Sequence, residues 1–368
     1  MNAVKSVTNK RNEGDSVQTA VLGVSGYSGA ELARLLLHHP RLKNTPPVFL
    51  GRPVAEGAAA KEELLTALHP QLRDGNGSAG LKIEPFSWEL LKERGVKVLF
   101  LATPHEQSRA YAPLALEHGI KVIDLSGAWR LEAAENRAVY KFEDDGTEVA
   151  KATQAKAVYG SPELHREEIR NAELVANPGC YATSVILALK PLTEAGWADT
   201  ERGIVCDAKS GVSGAGKAPT AKTHFMYAAD NLSAYGVFGH RHTGELLEQL
   251  ALNSDEIVFQ PHLLPIPRGI LSTIYVSLKE TKTAAEIADL YTKFYAGSPM
   301  VRLFGAGNLP QIQYVVRTNY CDIGFELDKS GRRLILVSCL DNLLKGASGQ
   351  AVQNLNLICG WGESEGLE

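Results

Sequence analysis

One cysteine of this 368-residue chain stands where a cysteine can act as a nucleophile. In Asn177-Pro178-Gly179-Cys180-Tyr181-Ala182-Thr183-Ser184, a short apolar strand from Leu174 to Ala176 runs into a tight Pro-Gly turn. Cys180 then falls at the start of the helix expected from Tyr181 to Leu189. The positive end of a helix dipole favours negative charge, so the expectation is a lowered thiol pKa and a larger thiolate fraction. A structural cysteine would sit more naturally in mid-strand or mid-helix. Cys206, Cys321, Cys339 and Cys359 read that way, as small buried residues in apolar stretches. Five cysteines is an odd number, and none forms a C-x-x-C pair, so neither a disulfide framework nor a zinc ribbon is indicated.

A nucleophilic thiol needs a partner that handles its proton. The densest histidine group is Gly239-His240-Arg241-His242-Thr243-Gly244-Glu245. Residues two apart face one side only if the segment is extended. Such a pair could be half of a metal site, but no third and fourth ligands stand out, so no metal is assigned. Acid/base and substrate-binding work is the reading preferred, with Arg241 able to pair with an anionic group. His38, His39 and His105 read as structural or surface residues. Ser210-Gly211-Val212-Ser213-Gly214-Ala215-Gly216-Lys217 nearly spells a P-loop. Ala218 replaces the Ser or Thr that would bind magnesium, and Pro219 follows, so a kinase or ATPase is not indicated. A glycine loop that lets backbone approach a ring or phosphate is the better account.

A second glycine run, Gly23-Val24-Ser25-Gly26-Tyr27-Ser28-Gly29, lies between the first strand and the first helix. There a pyrophosphate meets exposed amides and a helix dipole. The spacing is G-x-x-G-x-x-G, and Ser25 in the usual second-glycine position could add a hydroxyl donor. The second strand ends Leu50-Gly51-Arg52, with no carboxylate before Glu56. An arginine there suits a 2′-phosphate and favours NADP over NAD; the alternative is a solvated surface arginine.

The elements that must position these groups alternate at first. Strands are expected at Thr19 to Val24, Val48 to Leu50, Val96 to Leu101 and Lys121 to Leu125. Helices are expected at about Ala30 to His39, Lys61 to Leu68 and Gln107 to His118. That alternation indicates a doubly wound α/β sheet. After Asn177 longer strands follow, at Ile204 to Ala208, Ile270 to Leu278, Asp322 to Leu327 and Arg333 to Leu340. The last two flank the turn Asp328-Lys329-Ser330-Gly331, which suggests a mixed or antiparallel sheet. A helix from about Ala347 to Ile358 closes the chain, and Met1 to Val17 reads as a flexible tail.

Apolar residues at 44%, charged residues at 22% and a net charge of −4 describe an ordinary globular enzyme. They leave no electrostatic footprint for nucleic acid or an anionic membrane. No apolar run approaches the roughly 18 residues of a spanning helix, and no secretory signal is present, so the expected place is the cytoplasm. Asn76-Gly77-Ser78 and Asn231-Leu232-Ser233 are then chance matches to the glycosylation sequon.

The motifs together resemble the N-acetyl-γ-glutamyl-phosphate reductase family, within the aspartate-semialdehyde dehydrogenase-like group. The matching segments are the run Gly23 to Leu32, Asp124-Leu125-Ser126, the Asn177 to Tyr181 turn, the Ser210 to Gly216 loop, His240-Arg241-His242 and Asp341-Asn342-Leu343-Leu344-Lys345-Gly346-Ala347. They stand in the family's order across about Ala20 to Leu357. Gly127-Ala128-Trp129-Arg130 departs from the family's usual Ala-Asp-Phe-Arg. The resemblance implies an α/β fold: a Rossmann NADP-binding domain (18–176 with the returning 342–368) and an α+β glyceraldehyde-phosphate-dehydrogenase-like catalytic domain (177–341). It implies that Cys180 is the nucleophile, with His242 preferred for proton transfer and His240 for substrate contact. Arg130, Arg241, Asn177 and Ser210 are assigned to the substrate. Gly23, Ser25, Gly26, Tyr27, Ser28, Gly29, Arg52, Ser126, Ser213, Gly214 and Asn342 are assigned to NADP(H). The implied reaction converts a small acyl phosphate to an aldehyde through a thioester, in arginine biosynthesis, in a homo-oligomer (dimer or tetramer). Rivals are the same chemistry on a carrier-bound aminoadipyl or glutamyl phosphate or on aspartyl phosphate and, from another class, a non-catalytic NADP-sensing regulator.

Overall fold

Strand β1 (Thr19–Leu22) is buried along its whole length because it lies in the middle of a sheet covered on both faces. The computed structural model describes residues 17–53, 63–73 and 80–368. The other strands of this sheet are β2 (Val48–Gly51), β3 (Glu63–Leu64), β4 (Lys82–Pro85), β5 (Val98–Leu101), β6 (Lys121–Asp124), β7 (Ala157–Tyr159) and β8 (Leu174–Ala176). Their spatial order is β3-β4-β2-β1-β5-β6-β8-β7, parallel except where β3 meets β4. Alternation within each strand divides the core. Val21, Phe49, Phe100 and Ile123 pack with Leu32 and Leu36 of the helix Tyr27–His38 and with Val352 and Leu355 of the last helix, Gly349–Cys359. Ala20, Leu22, Leu99 and Val122 face the opposite way, onto Ala112 and Ala115 of the helix His105–Glu117. The chain thus returns at its end to complete the first layer.

The second sheet comprises β9 (Ile204–Gly211), β10 (Ser233–Ala234), β11 (Ile257–Leu264), β12 (Ile270–Ser277), β13 (Val301–Leu303), β14 (Cys321–Leu327) and β15 (Arg333–Leu340). Its order is β10-β11-β9-β12-β15-β14-β13, with β11 parallel to β9, β13 parallel to β14 and the other pairs antiparallel. One face receives the helix Cys180–Glu194, whose Val185, Ile186, Leu189 and Leu192 enter the largest apolar cluster. The expected mixed sheet and its β14–β15 hairpin are both present.

Several expected boundaries move. The first helix begins at Tyr27, three residues early, because the glycine run winds into it. Of the helix expected at Lys61 to Leu68, Glu63–Leu64 is a strand edge and only Leu65–Leu68 is helical; residues 61 and 62 lie outside the described residues. So do residues 1–16 of the tail, Glu56 and the sequon at 76–78. Before the last helix, Leu344–Ser348 forms a wider π-type turn. Cys206, Cys321 and Cys339 are buried as expected, whereas Cys359 is only partly covered. Among the described residues, no helix is long and apolar enough to cross a membrane.

Candidate active site

Three helices start where parallel strands of the first sheet end: Tyr27–His38 after β1, His105–Glu117 after β5 and Cys180–Glu194 after β8. Their first turns line one cavity of about 330 Å³, closed from the other side by the glycine loop after β9 and by Arg241, His242, Asn342 and Gly346. It lies outside the carboxyl ends of the strands, beside the point where the order reverses between β1 and β5, the usual place for a ligand in such a sheet.

The glycine run fits a dinucleotide. Gly23 has φ +98°, and a Cβ there would collide with the Ala102 carbonyl. A Cβ on Gly29 would collide with the Gly23 carbonyl and the Val24 backbone. Gly26 is different: its side-chain position is open, meeting only the Gly23 oxygen at 3.8 Å, and it faces the cavity. The helix it precedes has no side-chain cap and no acidic residue in its first turn. Unclaimed amides at the positive end of a 12-residue helix are a ready cradle for a pyrophosphate. Tyr27, Ser28, Gly29, Ser126, Ser213, Gly214 and Asn342 share this lining. Gly23 and Ser25 do not; Gly23 shapes the turn, and the Ser25 carbonyl accepts a 3.1 Å hydrogen bond from Lys217 Nζ across the domains. The Ser126 hydroxyl is already committed to Asp124 at 2.8 Å. Arg52 is exposed just past the end of β2 and outside the cavity lining.

Cys180 is the first residue of its helix, with uncapped Gly179 before it. The expected lowering of its pKa is overturned. Burial pushes the thiol up to about 11, against the opposing pull of the Tyr181 amide and the Arg130 charge. The helix-end effect is real but smaller than the cost of an anion in so enclosed a place. His242 packs over Gly179 so closely that a Cβ there would collide with Nε2, Cδ2 and Cε1 of the imidazole. Burial, then His240, Arg130 and Arg241, hold His242 well below the ordinary histidine pKa, and its Nδ1 has no hydrogen-bond partner among the described residues. The resting pair is therefore a neutral thiol beside a neutral imidazole.

The His240–His242 segment is not extended; it turns into the helix Thr243–Leu250. The rings nevertheless lie 4.7 Å apart, nearly perpendicular at 85°. His240 Nδ1 accepts the His242 backbone N–H at 3.1 Å, and its ring packs edge-on to Tyr181, Tyr235 and Phe259. Burial holds its pKa at about 4. Expected to contact substrate, it stands behind His242 rather than in the cavity wall.

Sequence reading missed the residue that organises this centre. Glu245, fully buried, accepts the Gly179 N–H at 2.9 Å, the Tyr159 hydroxyl at 2.7 Å and Arg130 Nη1 at 3.2 Å, and lies 4.0 Å from His242 Nε2. The available signal was its spacing: three residues after His242, on the next turn of the same helix. Arg130 lines the cavity, but its Nε serves the Asn177 carbonyl at 2.7 Å and its Nη2 the Leu125 carbonyl at 2.9 Å. Arg241 lines the cavity and is exposed.

Asn177 and Ser210 do not reach the cavity. The Asn177 side chain is used up between the Ala347 carbonyl at 3.0 Å and the Asn354 amide at 3.1 Å, so it braces the turn from below. Ser210 is 1% exposed, with its hydroxyl on the Gly211 carbonyl. His105, read as structural or surface, heads its helix in the cavity wall. Among the described residues, no group of three His, Cys, Asp or Glu side chains is placed to hold a metal.

Two family models match the chain: "Semialdehyde dehydrogenase, NAD binding domain" over residues 18–172 and "Semialdehyde dehydrogenase, dimerisation domain" over 180–342. A protein of Moorella thermoacetica named N-acetyl-gamma-glutamyl-phosphate reductase is 42% identical over 96% of this chain and 98% of its own length. Proteins of the same name from Desulfotalea psychrophila (44%, covering 96% and 98%) and Methanocaldococcus jannaschii (42%, covering 95% and 97%) match equally fully. Among solved structures, aspartate semialdehyde dehydrogenase II of Vibrio cholerae superposes with a TM-score of 0.66 at 21% identity, covering 94% of this chain and 99% of that one. At that identity the likeness speaks for the fold.

Proposed function

The chain belongs to the N-acetyl-gamma-glutamyl-phosphate reductase family, and from that premise we propose that it reduces N-acetyl-L-glutamyl 5-phosphate to the 5-semialdehyde and phosphate, with NADPH, in arginine biosynthesis. The observation that carries the reading is a cysteine at a helix start, with a neutral histidine packed over the preceding glycine, in the wall that also holds the glycine run.

Cys180 attacks the acyl carbon as its proton passes to His242, which is neutral and free to accept it. The C–S bond forms, the C–O bond to phosphate breaks, and the acyl group rides on Cys180 as a thioester. The first amides of the Cys180–Glu194 helix are positioned to hold the developing oxyanion. NADPH, when bound on the Gly26–Gly29 turn, supplies the hydride that takes this carbon to the aldehyde level. His242 then returns the proton as Cys180 leaves. Arg241 draws the anionic substrate in, while Arg130 and Glu245 hold the turn in place. The test is the reverse assay: N-acetyl-glutamate 5-semialdehyde, phosphate and NADP⁺ must together produce NADPH absorbance. No phosphate-dependent rise from folded enzyme that binds NADPH would remove the reading.

Arg52 contacts the 2′-phosphate, its position past β2 being the reason. Arg52→Ala is expected to weaken NADPH binding about tenfold, the size of one charge-assisted hydrogen bond, and to leave NADH binding unchanged. Equal effects on both cofactors, measured by fluorescence titration, would assign Arg52 to the surface instead.

The enzyme works in the cytoplasm, a compartment suited to its unpaired cysteines, and as a homo-oligomer. Val258, Val205, Tyr275 and Ile335 are direct cross-strand neighbours over four strands on the face of the second sheet away from the Cys180 helix. All four side chains are exposed. Such a row is what a second copy would cover. Tyr275→Glu is expected to shift sedimentation to the monomer; an unchanged oligomer would place the interface elsewhere.

A further inference from the structure

Most polar groups in the cavity wall already serve the protein. Arg130 gives three donors to Asn177, Glu245 and Leu125, Ser126 serves Asp124, and His105 Nε2 lies 2.9 Å from Glu106. Besides His242 and the Tyr27–Gly29 turn, two further groups remain uncommitted among the described residues: the Tyr140 hydroxyl and the Arg241 guanidinium, neither of which has a hydrogen bond or ion pair there. Both line the cavity, and the Arg241 guanidinium carbon stands 6.0 Å from the centre of the Tyr140 ring.

Tyr140 is held rigidly. It is 8% exposed, stacks on Phe142 with ring centres 5.1 Å apart and planes within 5°, and takes the edge of His105 at 5.3 Å. The tip of its ring fills the place of a side chain on Gly127: a Cβ there would collide with Oη, Cζ and Cε1. The glycine that replaces the family's usual residue type at this point is thus the space into which the phenol fits. The hydroxyl is not among the buried unpartnered atoms, so it opens on the cavity, and a rigidly held donor there is available to a ligand acceptor.

We propose that Tyr140 is a specificity-determining residue whose hydroxyl, with the Arg241 guanidinium, takes the carboxylate of the substrate's amino-acid end. The inference rests on the reading of the reaction given above. The local charge favours an anion, since Glu245 offsets Arg130 and, among the described residues, no carboxylate pairs with Arg241. Two neighbouring donors match the two oxygens of a carboxylate, whereas a phosphoryl group brings three strong acceptors.

Tyr140→Phe keeps the ring and its packing and removes only the hydroxyl. In the reverse assay on the full-length enzyme, KM for N-acetyl-glutamate 5-semialdehyde is expected to rise about tenfold or more. The turnover number, KM for phosphate and Kd for NADPH should stay within about twofold, the pattern of a lost uniform binding contact. The α-carboxamide analogue of the aldehyde should bind wild type and Tyr140→Phe equally weakly. An unchanged aldehyde KM in the variant overturns the proposal. So does a shift confined to phosphate KM, or to NADPH affinity, since either would give the hydroxyl another partner. Wild-type enzyme that fails to turn over the aldehyde would remove the parent reading, and this inference with it.

Discussion

Cys180→Ala is expected to lower the phosphate-dependent reverse rate by on the order of 10⁴-fold or more, while NADPH still binds. In the proposed reaction the sulfur carries the acyl group, and no other cysteine could replace it: the other four lie outside the cavity lining. The glycine run that would hold the cofactor belongs to a different strand end, so its cradle survives the change. Retained phosphate-dependent turnover would exclude a thioester at this position. The resting state of the thiol gives the same residue a second, sharper test. Burial pushes it to about 11, so the ligand-free enzyme holds a thiol at neutral pH rather than a thiolate. Alkylation of the Cys180 peptide by iodoacetamide, followed by mass spectrometry, should therefore climb about tenfold per pH unit from pH 7 to 10. A plateau near pH 7 would mean that the helix end outweighs burial and that the nucleophile is preformed. His242 makes the complementary point. Because its pKa is depressed, it remains a neutral base as pH falls to 6, and acid should not remove the proton acceptor until well below the ordinary histidine range.

Glu245→Gln should cost about 100-fold in turnover and about 3–5 kcal/mol in stability, with NADPH affinity unchanged. The carboxylate accepts from the Gly179 amide, Tyr159 and Arg130 in a fully buried place. An amide nitrogen in place of one oxygen would point a donor at donors. Burial alone would lower the Arg130 pKa; the Glu245 charge is the largest of the opposing effects, which with Tyr140, Tyr159 and Asp124 outweigh it, so Arg130 without Glu245 becomes a buried cation short of its counter-ion. The turn before Cys180 then loses the bond that sets its height beneath His242. Denaturant unfolding measures the first loss, and single-turnover kinetics the second. A variant as stable as wild type with unaltered turnover would reduce Glu245 to a bystander. If only stability falls, Glu245 has no part in positioning Cys180.

Much of this site could be read from local pattern. The strand Leu174–Ala176 and the Pro-Gly turn announce a helix start at Cys180, and the helix runs on to Glu194. Gly23 and Gly29 are glycines for reasons of close approach that their spacing already suggests. What escaped was everything that depends on distant segments meeting. Glu245 draws its partners from 66, 86 and 115 residues away, so its role is invisible until the sheets are assembled. Asn177 and Ser210 sit in the right motifs, yet the Asn177 amide is spent on distant segments and the Ser210 hydroxyl on the next carbonyl, and neither residue is in the cavity lining.

The order of residue types along the chain was enough to determine the alternating first layer, the hairpin-bearing second sheet, the glycine turn and the place of Cys180 at a helix start, because each follows from the local geometry of turns, periodicity and helix ends. The state of that cysteine, which histidine packs against its turn, which carboxylate holds the turn and which groups of the cavity wall are left without a partner were decided only by tertiary packing. The physical reason is that desolvation and hydrogen-bond saturation are sums over all neighbours in space. For Cys180 that sum reverses what its own helix would dictate.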